Sequence, residues 1–436
     1  MNKTFTAAVC LALVSLTAFS QEKETKKGWS LSALPAVSYS HDLGFQYGAF
    51  GHVYNYGDGT IYPKFRQDIG WELSHFTKGR TRAHLSLDTK YLIPGIRFMA
   101  SATYVNDPLY NFYGFNGMAQ DYNPEQVGYN FMRRDMLRVL MDFQGEIVPG
   151  FNWAGGLAFW DYMIGDQDAK YGYDTKSTLY NHYVSKGVIR PEEQFGGIRL
   201  EAKAGVSYDT RDIEAAPNKG IWAEAYLNAS PDLFNDGNPF YMKANLHFRQ
   251  FLSLPFSWKG GGAVFAYHLA YQGTIAGETP WYMQANINNL ILRQMISEGL
   301  GSSNTIRGTF TSRMIGEGYA WANTELRVKL VSFKLLGQYF YLAANPFFDF
   351  GAIVQPYRLD EMANLPELAL KYKATGDDLK SAIRKDACAL QHSYGAGLKI
   401  GWNQNFIVSV EMGQTGTDGM GYRNFNWINI GTGYSF

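Results

Sequence analysis

The chain has only two cysteines, and one of them, Cys10, lies in an apolar N-terminal stretch. Lys3, the apolar run from Ala7 to Phe19, and Ala18-Phe19-Ser20 before Gln21 read as a secretory signal peptide over residues 1–20, with cleavage expected after Ser20. Val9 before Cys10 is a poor lipobox residue, so no lipid anchor is expected. Only Cys388 would remain, which excludes an intramolecular disulfide. Beyond the leader no apolar run reaches the ~18 residues of a membrane helix. Lys and Arg number 39 and so do Asp and Glu, so charge gives no reason to expect nucleic acid as a partner. Nucleophilic chemistry also lacks a site. His392 and Ser393 are adjacent on an alternating segment and point apart, while His247 and His268 are expected to face one lumen several residues apart. No catalytic residue, metal or cofactor is expected.

What is abundant is glycine and aromatics: 46 Gly, 30 Tyr, 29 Phe and 10 Trp, in a chain whose mean hydropathy is only -0.24. A secreted, glycine- and aromatic-rich chain that alternates without long apolar runs reads as all-β, a transmembrane antiparallel β-barrel. Alternation recurs near 33–40, 44–55, 65–76, 80–92, 95–105, 128–144, 150–163, 196–208, 220–230, 240–253, 258–271, 316–331, 338–352, 390–402, 404–414 and 424–436. That is about 16 strands, each of the length needed to cross hydrocarbon when tilted. The expected organisation is a signal peptide (1–20), a short periplasmic tether (21–30) and one barrel domain (31–436). From a periplasmic start, the long connections 106–127, 164–195, 272–315 and 353–389 all fall outside. Ile93-Pro94-Gly95 and Leu254-Pro255 become tight periplasmic turns.

The last strands display two faces. Tyr394, Leu398 and Ile400 alternate with Ser393, Gly397 and Lys399, which predicts an apolar lipid face and a small, polar lumen face. The terminal strand continues the apolar set with Ile428, Ile430, Thr432, Tyr434 and Phe436, so Tyr434 and Phe436 are expected to face lipid and, as a terminal aromatic pattern, to serve as an insertion signal. Phe425 and Trp427 break the phase, which suggests a bulge or an inward aromatic.

Charge inside the barrel converges on one region. On 316–331, Glu325 and Arg327 share the polar face, and on 338–352 Asp349 sits opposite the apolar set, flanked by Phe347 and Gly351. Two neighbouring strands thus aim carboxylates into one space. Arg307-Gly308 upstream does not alternate and reads as a loop folded back into the lumen, where a planar guanidinium engages two carboxylates at once. Trp281 to Glu298 in the same loop reads as partly helical. The turn Tyr208 to Gly220 carries Asp209, Arg211, Asp212, Pro217 and Gly220, read as a turn held by aspartates and an ion pair rather than as a metal cluster.

Arg307-Gly308, then Glu325-Leu326-Arg327, then Phe347-Phe348-Asp349-Phe350-Gly351, in that order, resembles the BamA/TamA (bacterial surface antigen) superfamily of outer-membrane barrels. The periplasmic turn from Asp209 to Gly220 and Leu109 to Phe115 resemble it as well, so the likeness runs from about Ala33 to Phe436. Thr309 stands where the family usually has an aromatic, with Phe310 one place later. The resemblance implies a location in the outer membrane of a Gram-negative bacterium. It further implies a lumenal latch of Arg307, Gly308, Glu325, Asp349 and Gly351, and assembly or translocation of outer-membrane protein or lipid through a lateral seam. No room is expected for the family's periplasmic POTRA domains between Gln21 and Leu31, so partners in the envelope would supply their role. The alternative is a passive or partner-gated pore, or a structural subunit, for which Lys243, Asn245, His247, Arg249, Lys329, Lys399 and Glu411 supply a mixed-charge lumen. Pro35 in the first strand withholds a donor near the seam, and 359–388 reads as a helical outer cap.

Overall fold

The computed structural model describes residues 27–40, 43–61, 65–117, 124–214, 216–233, 240–292, 296–335, 338–357, 389–402, 406–434 and 436. The leader, Cys388 and the expected cap over 359–388 lie outside the described residues.

Sixteen antiparallel strands close into a barrel, each paired with the next and the last with the first. The first, β1, consists of Trp29–Pro35 and Ser38–Ser40, which share one continuous register on β2, Gly44–Asn55. There follow β3 (Gln67–Phe76), β4 (Thr81–Ile93), β5 (Ile96–Asn106), β6 (Phe131–Val148), β7 (Phe151–Gly165), β8 (Gly196–Asp209) and β9 (Gly220–Ser230). The second half holds β10 (Tyr241–Trp258), β11 (Gly261–Gly277), β12 (Gly318–Leu335), β13 (Gln338–Gln355), β14 (Gln391–Trp402), β15 (Phe406–Thr415) and β16 (Trp427–Thr432). The side chains identify the solvent each face was made for. On β14, Leu398 is 56% exposed while its neighbour Lys399 is 1% exposed, the inverse of a soluble protein. Apolar residues outside and a polar interior are what a membrane-spanning barrel requires.

Strand positions agree with the alternation throughout, and three local expectations do not. Leu254-Pro255 is not a turn. β10 runs on to Trp258 with a register shift between Ser253 and Ser257, and the chain reverses at Lys259-Gly260. An irregular register is a place where a strand tolerates proline. Among the described residues of Trp281 to Glu298, Trp281–Gln284 alone is helical, and Asn286–Asn288 pairs with Ile296–Glu298 as a small hairpin. The third correction concerns the end of the chain. Gly433 takes φ +82, a left-handed conformation suited to glycine, and β16 stops at Thr432. Tyr434 and Phe436 turn into the lumen. The Phe436 ring stacks on His268, a buried lumen residue, at 5.7 Å, so it does not face lipid here. Local alternation is overridden by a tertiary contact set.

The lumen has two unlike halves. Polar side chains on the inner faces of β6 to β15 are almost all buried under the long loop between β11 and β12. The inner face of β1 to β4 is mixed: Ser32, Gln46, His52, Glu72 and Arg82 are half-buried, while Asp68, Ser74 and Asp88 are buried. At one end of the barrel, residues from four long connections, those expected on the outer side, pack as an aromatic dome. Phe115 stacks on Tyr357 at 4.2 Å, and Phe112 meets Tyr183 and Trp281 edge-on at 5.8 Å. Leu109 to Phe115 thus contributes to the outer cap.

Candidate functional site: a strapped lumenal loop beside a short seam

The loop between β11 and β12 carries its arginine at a turn. Gly308 has φ +81, and an added Cβ would lie 2.8–3.0 Å from the main chain of Gln414 on β15, so close approach to the wall requires glycine. That approach seats Arg307 against three strands. Its Nε and Nη2 donate to Oδ2 and Oδ1 of Asp349, both at 2.8 Å, and its own amide adds a third bond to Oδ2 at 3.0 Å. Nη1 donates to Oε1 of Glu325 at 2.5 Å and reaches Oε1 of Glu411 at 3.3 Å. The guanidinium also lies over the Phe347 ring at 3.7 Å. Arg307, Glu325 and Asp349 are therefore one cluster, with all three side chains fully buried. Two charges in low dielectric hold only when geometry and hydrogen bonds are complete, and here they are. Gly351 leaves room for the loop, since a Cβ there would come within 3.0 Å of Ile306. Phe310, displaced by Thr309, still finds aromatic company, with Tyr113 stacked at 5.9 Å and Tyr422 edge-on at 4.8 Å.

Residues not assigned to the latch from sequence complete it. Glu411 was legible only as one more lumen charge, yet it accepts from Asn345 at 3.1 Å and from Lys399 at 3.1 Å. Arg327 donates to Oε2 of Glu325 at 2.8 Å. The other end of the loop has an anchor of opposite sign, for which no motif gave a signal. Glu298 pairs with Arg134 of β6 and lies 3.4 Å from Arg80 of the β3–β4 turn. Between the anchors, wall side chains take loop carbonyls: Lys243 that of Met283 at 3.0 Å, Gln272 that of Asn286 at 2.7 Å, and Arg249 that of Asn289 at 2.6 Å. The loop is bonded across the lumen rather than resting in it.

His247 and His268 do meet, contrary to the separation expected from sequence. Nδ1 of His247 lies 3.1 Å from Nε2 of His268, since the two occupy diagonal positions on adjacent strands. Their outer nitrogens are taken by the Asn288 carbonyl at 2.8 Å and the Asn323 Oδ1 at 3.2 Å, so the pair is part of the wall-to-loop bonding.

The turn between β8 and β9, expected on the periplasmic side, is separate from this cluster. Arg211 grips Asp209 with two bonds, at 2.9 and 2.6 Å, and lies over Trp222 at 3.9 Å. Asp212 accepts from the amides of Ile213, Asn218 and Lys219 and from the Asn218 side chain. Partial burial acts to raise the Asp212 carboxyl, but these bonds outweigh it and hold it below its ordinary value. Pro217 is buried, and Gly220 takes φ +114 with the Thr210 carbonyl 2.4 Å from where a Cβ would sit. Ala216 packs against the cluster of Tyr341, Ala343 and Ile407, so the turn folds beneath the lumen.

The seam is the weakest part of the wall. Among the described residues β16 and β1 share the pairs Tyr39↔Ile430 and Ser40↔Asn429. Trp29–Pro35 pairs with β2 on one edge, and among the described residues no strand pairs with its other edge. An unpaired edge of this kind is open to further pairing.

No family model matches the chain, and no curated protein sequence matches it. Solved structures do. A structure of BamA from Haemophilus ducreyi lacking POTRA domains 1–3 is similar at TM-score 0.54 with 14% identity, covering 98% of this chain and 77% of that one. CdiB from Escherichia coli is similar at TM-score 0.57 with 9% identity, covering 94% of this chain and 63% of that one, so the chain spans less than two thirds of CdiB. At these identities the likeness establishes the fold, a closed 16-stranded barrel like that of BamA.

Proposed function

We propose that the chain is an outer-membrane barrel of the BamA/TamA type in a Gram-negative bacterium, acting in assembly or translocation of outer-membrane components through the β1–β16 seam. One observation carries this reading: among the described residues the wall is joined at the seam by two residue pairs, while a strapped loop fills the lumen behind β6 to β15. A lumen bonded shut from Lys243 to Glu411 does not favour an axial route. A sideways route would meet the least resistance at the seam, next to the half of the lumen that stays open to solvent. The lining there has both signs of charge, with half-buried Arg82 3.6 Å from half-buried Glu72 and His52 2.7 Å from buried Asp68. Envelope proteins would deliver the cargo, and outer-membrane lipid would surround the wall. No catalytic step belongs to this role.

The test is single-channel conductance of the purified barrel in planar bilayers, wild type against Arg307→Ala. A quiet wild type and a noisy, conducting variant support a latched plug. A large, steady conductance that the substitution leaves unchanged would instead mark a passive pore.

A further inference from the structure

Two hairpin tips overhang the wall at β10 to β13. Among the described residues β9 makes its last pair with β10 at Gly220↔Phe251, while β10 and β11 stay paired as far as Trp258↔Gly261. β11 in turn leaves β12 at Gly262↔Lys329, while β12 and β13 continue to Leu335↔Gln338. Leu252 to Trp258, at about 3.3 Å per residue, carry the first tip roughly 20 Å along the strand beyond β9. Both tips stand at the end of the barrel where the chain begins, expected on the periplasmic side. They also touch. Nε1 of Trp258 donates to the Leu330 carbonyl at 2.8 Å, and Gly260 lies so close to Ser332 that a Cβ would come within 3.1 Å of its Oγ.

The lipid face of the wall runs on into these tips. On β10, Leu246 and Leu252 face outward, and Phe256 and Trp258 keep the same parity with exposures of 64% and 44%. On β12 the lumen-facing set runs to Lys329. A one-residue register shift between Lys329 and Val331 then turns Val331 and Phe333 outward, where Phe333 stacks on Phe340 at 5.7 Å. Beyond the wall burial no longer alternates, since Pro255 to Lys259 are all exposed. An exposed patch of large apolar side chains marks a contact surface, and aromatics at strand ends suit the boundary between hydrocarbon and headgroups.

Charge at the tips has one sign. The sequence holds no acid between Asp236 and Glu278 or between Glu325 and Asp349, and the tips carry exposed Lys259 and Lys334. We propose that the paired tips form a binding site for an anionic phospholipid of the adjoining leaflet, with Phe256, Trp258 and Phe333 against its glycerol and upper acyl region and Lys259 and Lys334 on its headgroup phosphate. A zwitterionic headgroup offers the same phosphate with no net charge, so the lysines favour the anionic lipid. The site stands apart from the seam and does not rest on the seam reading.

The test uses native mass spectrometry of the folded, heat-modifiable barrel released from nanodiscs of phosphatidylethanolamine with phosphatidylglycerol as the minor lipid. Wild type should retain phosphatidylglycerol several-fold above its share of the disc. Lys259→Gln combined with Lys334→Gln should bring retention down to that share, each lysine contributing up to about fivefold. Each single variant should lose part of the preference, which keeps the result readable if the pair does not fold. Lys90→Gln removes an exposed lysine at the same end of the barrel and should change nothing. Retention by wild type in bulk proportion, a preference that the double variant keeps, or an equal loss in Lys90→Gln would overturn the site. A periplasmic protein is the other occupant such a patch would suit, so a benzophenone amino acid in place of Phe256 is irradiated in cells. Lipid adducts support the proposal, and a discrete protein adduct in their place, or no adduct, overturns it.

Discussion

The wall at β12 and β13 and the seam itself are built from the same alternating sequence, yet they differ in strand length and pairing. β12 and β13 are 18 residues each and pair from Gly318↔Gln355 to Leu335↔Gln338, whereas β16 is 6 residues long and, among the described residues, meets β1 at two pairs. Behind β12 and β13 the lumen is packed with buried ion pairs. Beside β1 to β4 it is polar and half open. Stability within one closed sheet is thus uneven, and the low end coincides with the only join between the two ends of the chain. An open edge is ordinarily a liability, and here it lies beside a lumen lining of β1 to β4 that is in part half-buried.

The largest expected effect comes from the strong side. Arg307→Ala leaves Asp349, Glu325 and Glu411 facing one another without their shared cation, and removing one partner of a buried pair costs about 3–5 kcal/mol. The folded, heat-modifiable form should unfold several-fold faster in urea, and unchanged kinetics would mean that the cluster adds little. Gly308→Ala should cost about 1–3 kcal/mol from the left-handed backbone alone, with a clash against Gln414 in addition. Glu298→Gln at the opposite anchor removes a charged acceptor from buried Arg134, worth about 1.5–3 kcal/mol. Limited proteolysis should then cut the loop near 289–296 before any wall strand. If Arg307→Ala exposes that site and Glu298→Gln does not, only one end of the strap matters. Arg211→Ala in the periplasmic turn should cost about 1 kcal/mol, since the ion pair is part-exposed and the stacking on Trp222 is modest. Smallest of all is Pro35→Ala at the seam, expected within about 0.5 kcal/mol because an exposed side chain there opens no cavity and breaks no buried bond. A large change there would mean that the β1 edge is less idle than its pairing indicates.

Much of this contrast was legible in the residues. Alternation of period two locates all sixteen strands, because a barrel wall has lipid on one side and polar lumen on the other along its whole length. Arg307, Glu325 and Asp349 could be brought together on paper because strand faces are fixed by parity and adjacent hairpins pair. Where reasoning failed, the deciding contact was long-range. The tail of β16 alternates perfectly and still turns inward, since Arg327 and Lys399 are remote in sequence and only the closed barrel brings them to Gly433. His247 and His268 meet through a diagonal register that strand boundaries known to a few residues cannot fix. Glu298 and Arg134 lie 164 positions apart and carry no motif. Trp281 to Glu298 has helical spacing of apolar residues, but the wall supplies side-chain donors to its carbonyls and a hairpin satisfies them better.

Amide hydrogen exchange on the barrel in nanodiscs, followed strand by strand, measures the contrast most directly. The outward-edge amides of Trp29–Pro35 and those of β16 should exchange orders of magnitude faster than the amides of β12 and β13. Equal protection on the two sides would contradict a wall with one weak join, and with it a seam that opens.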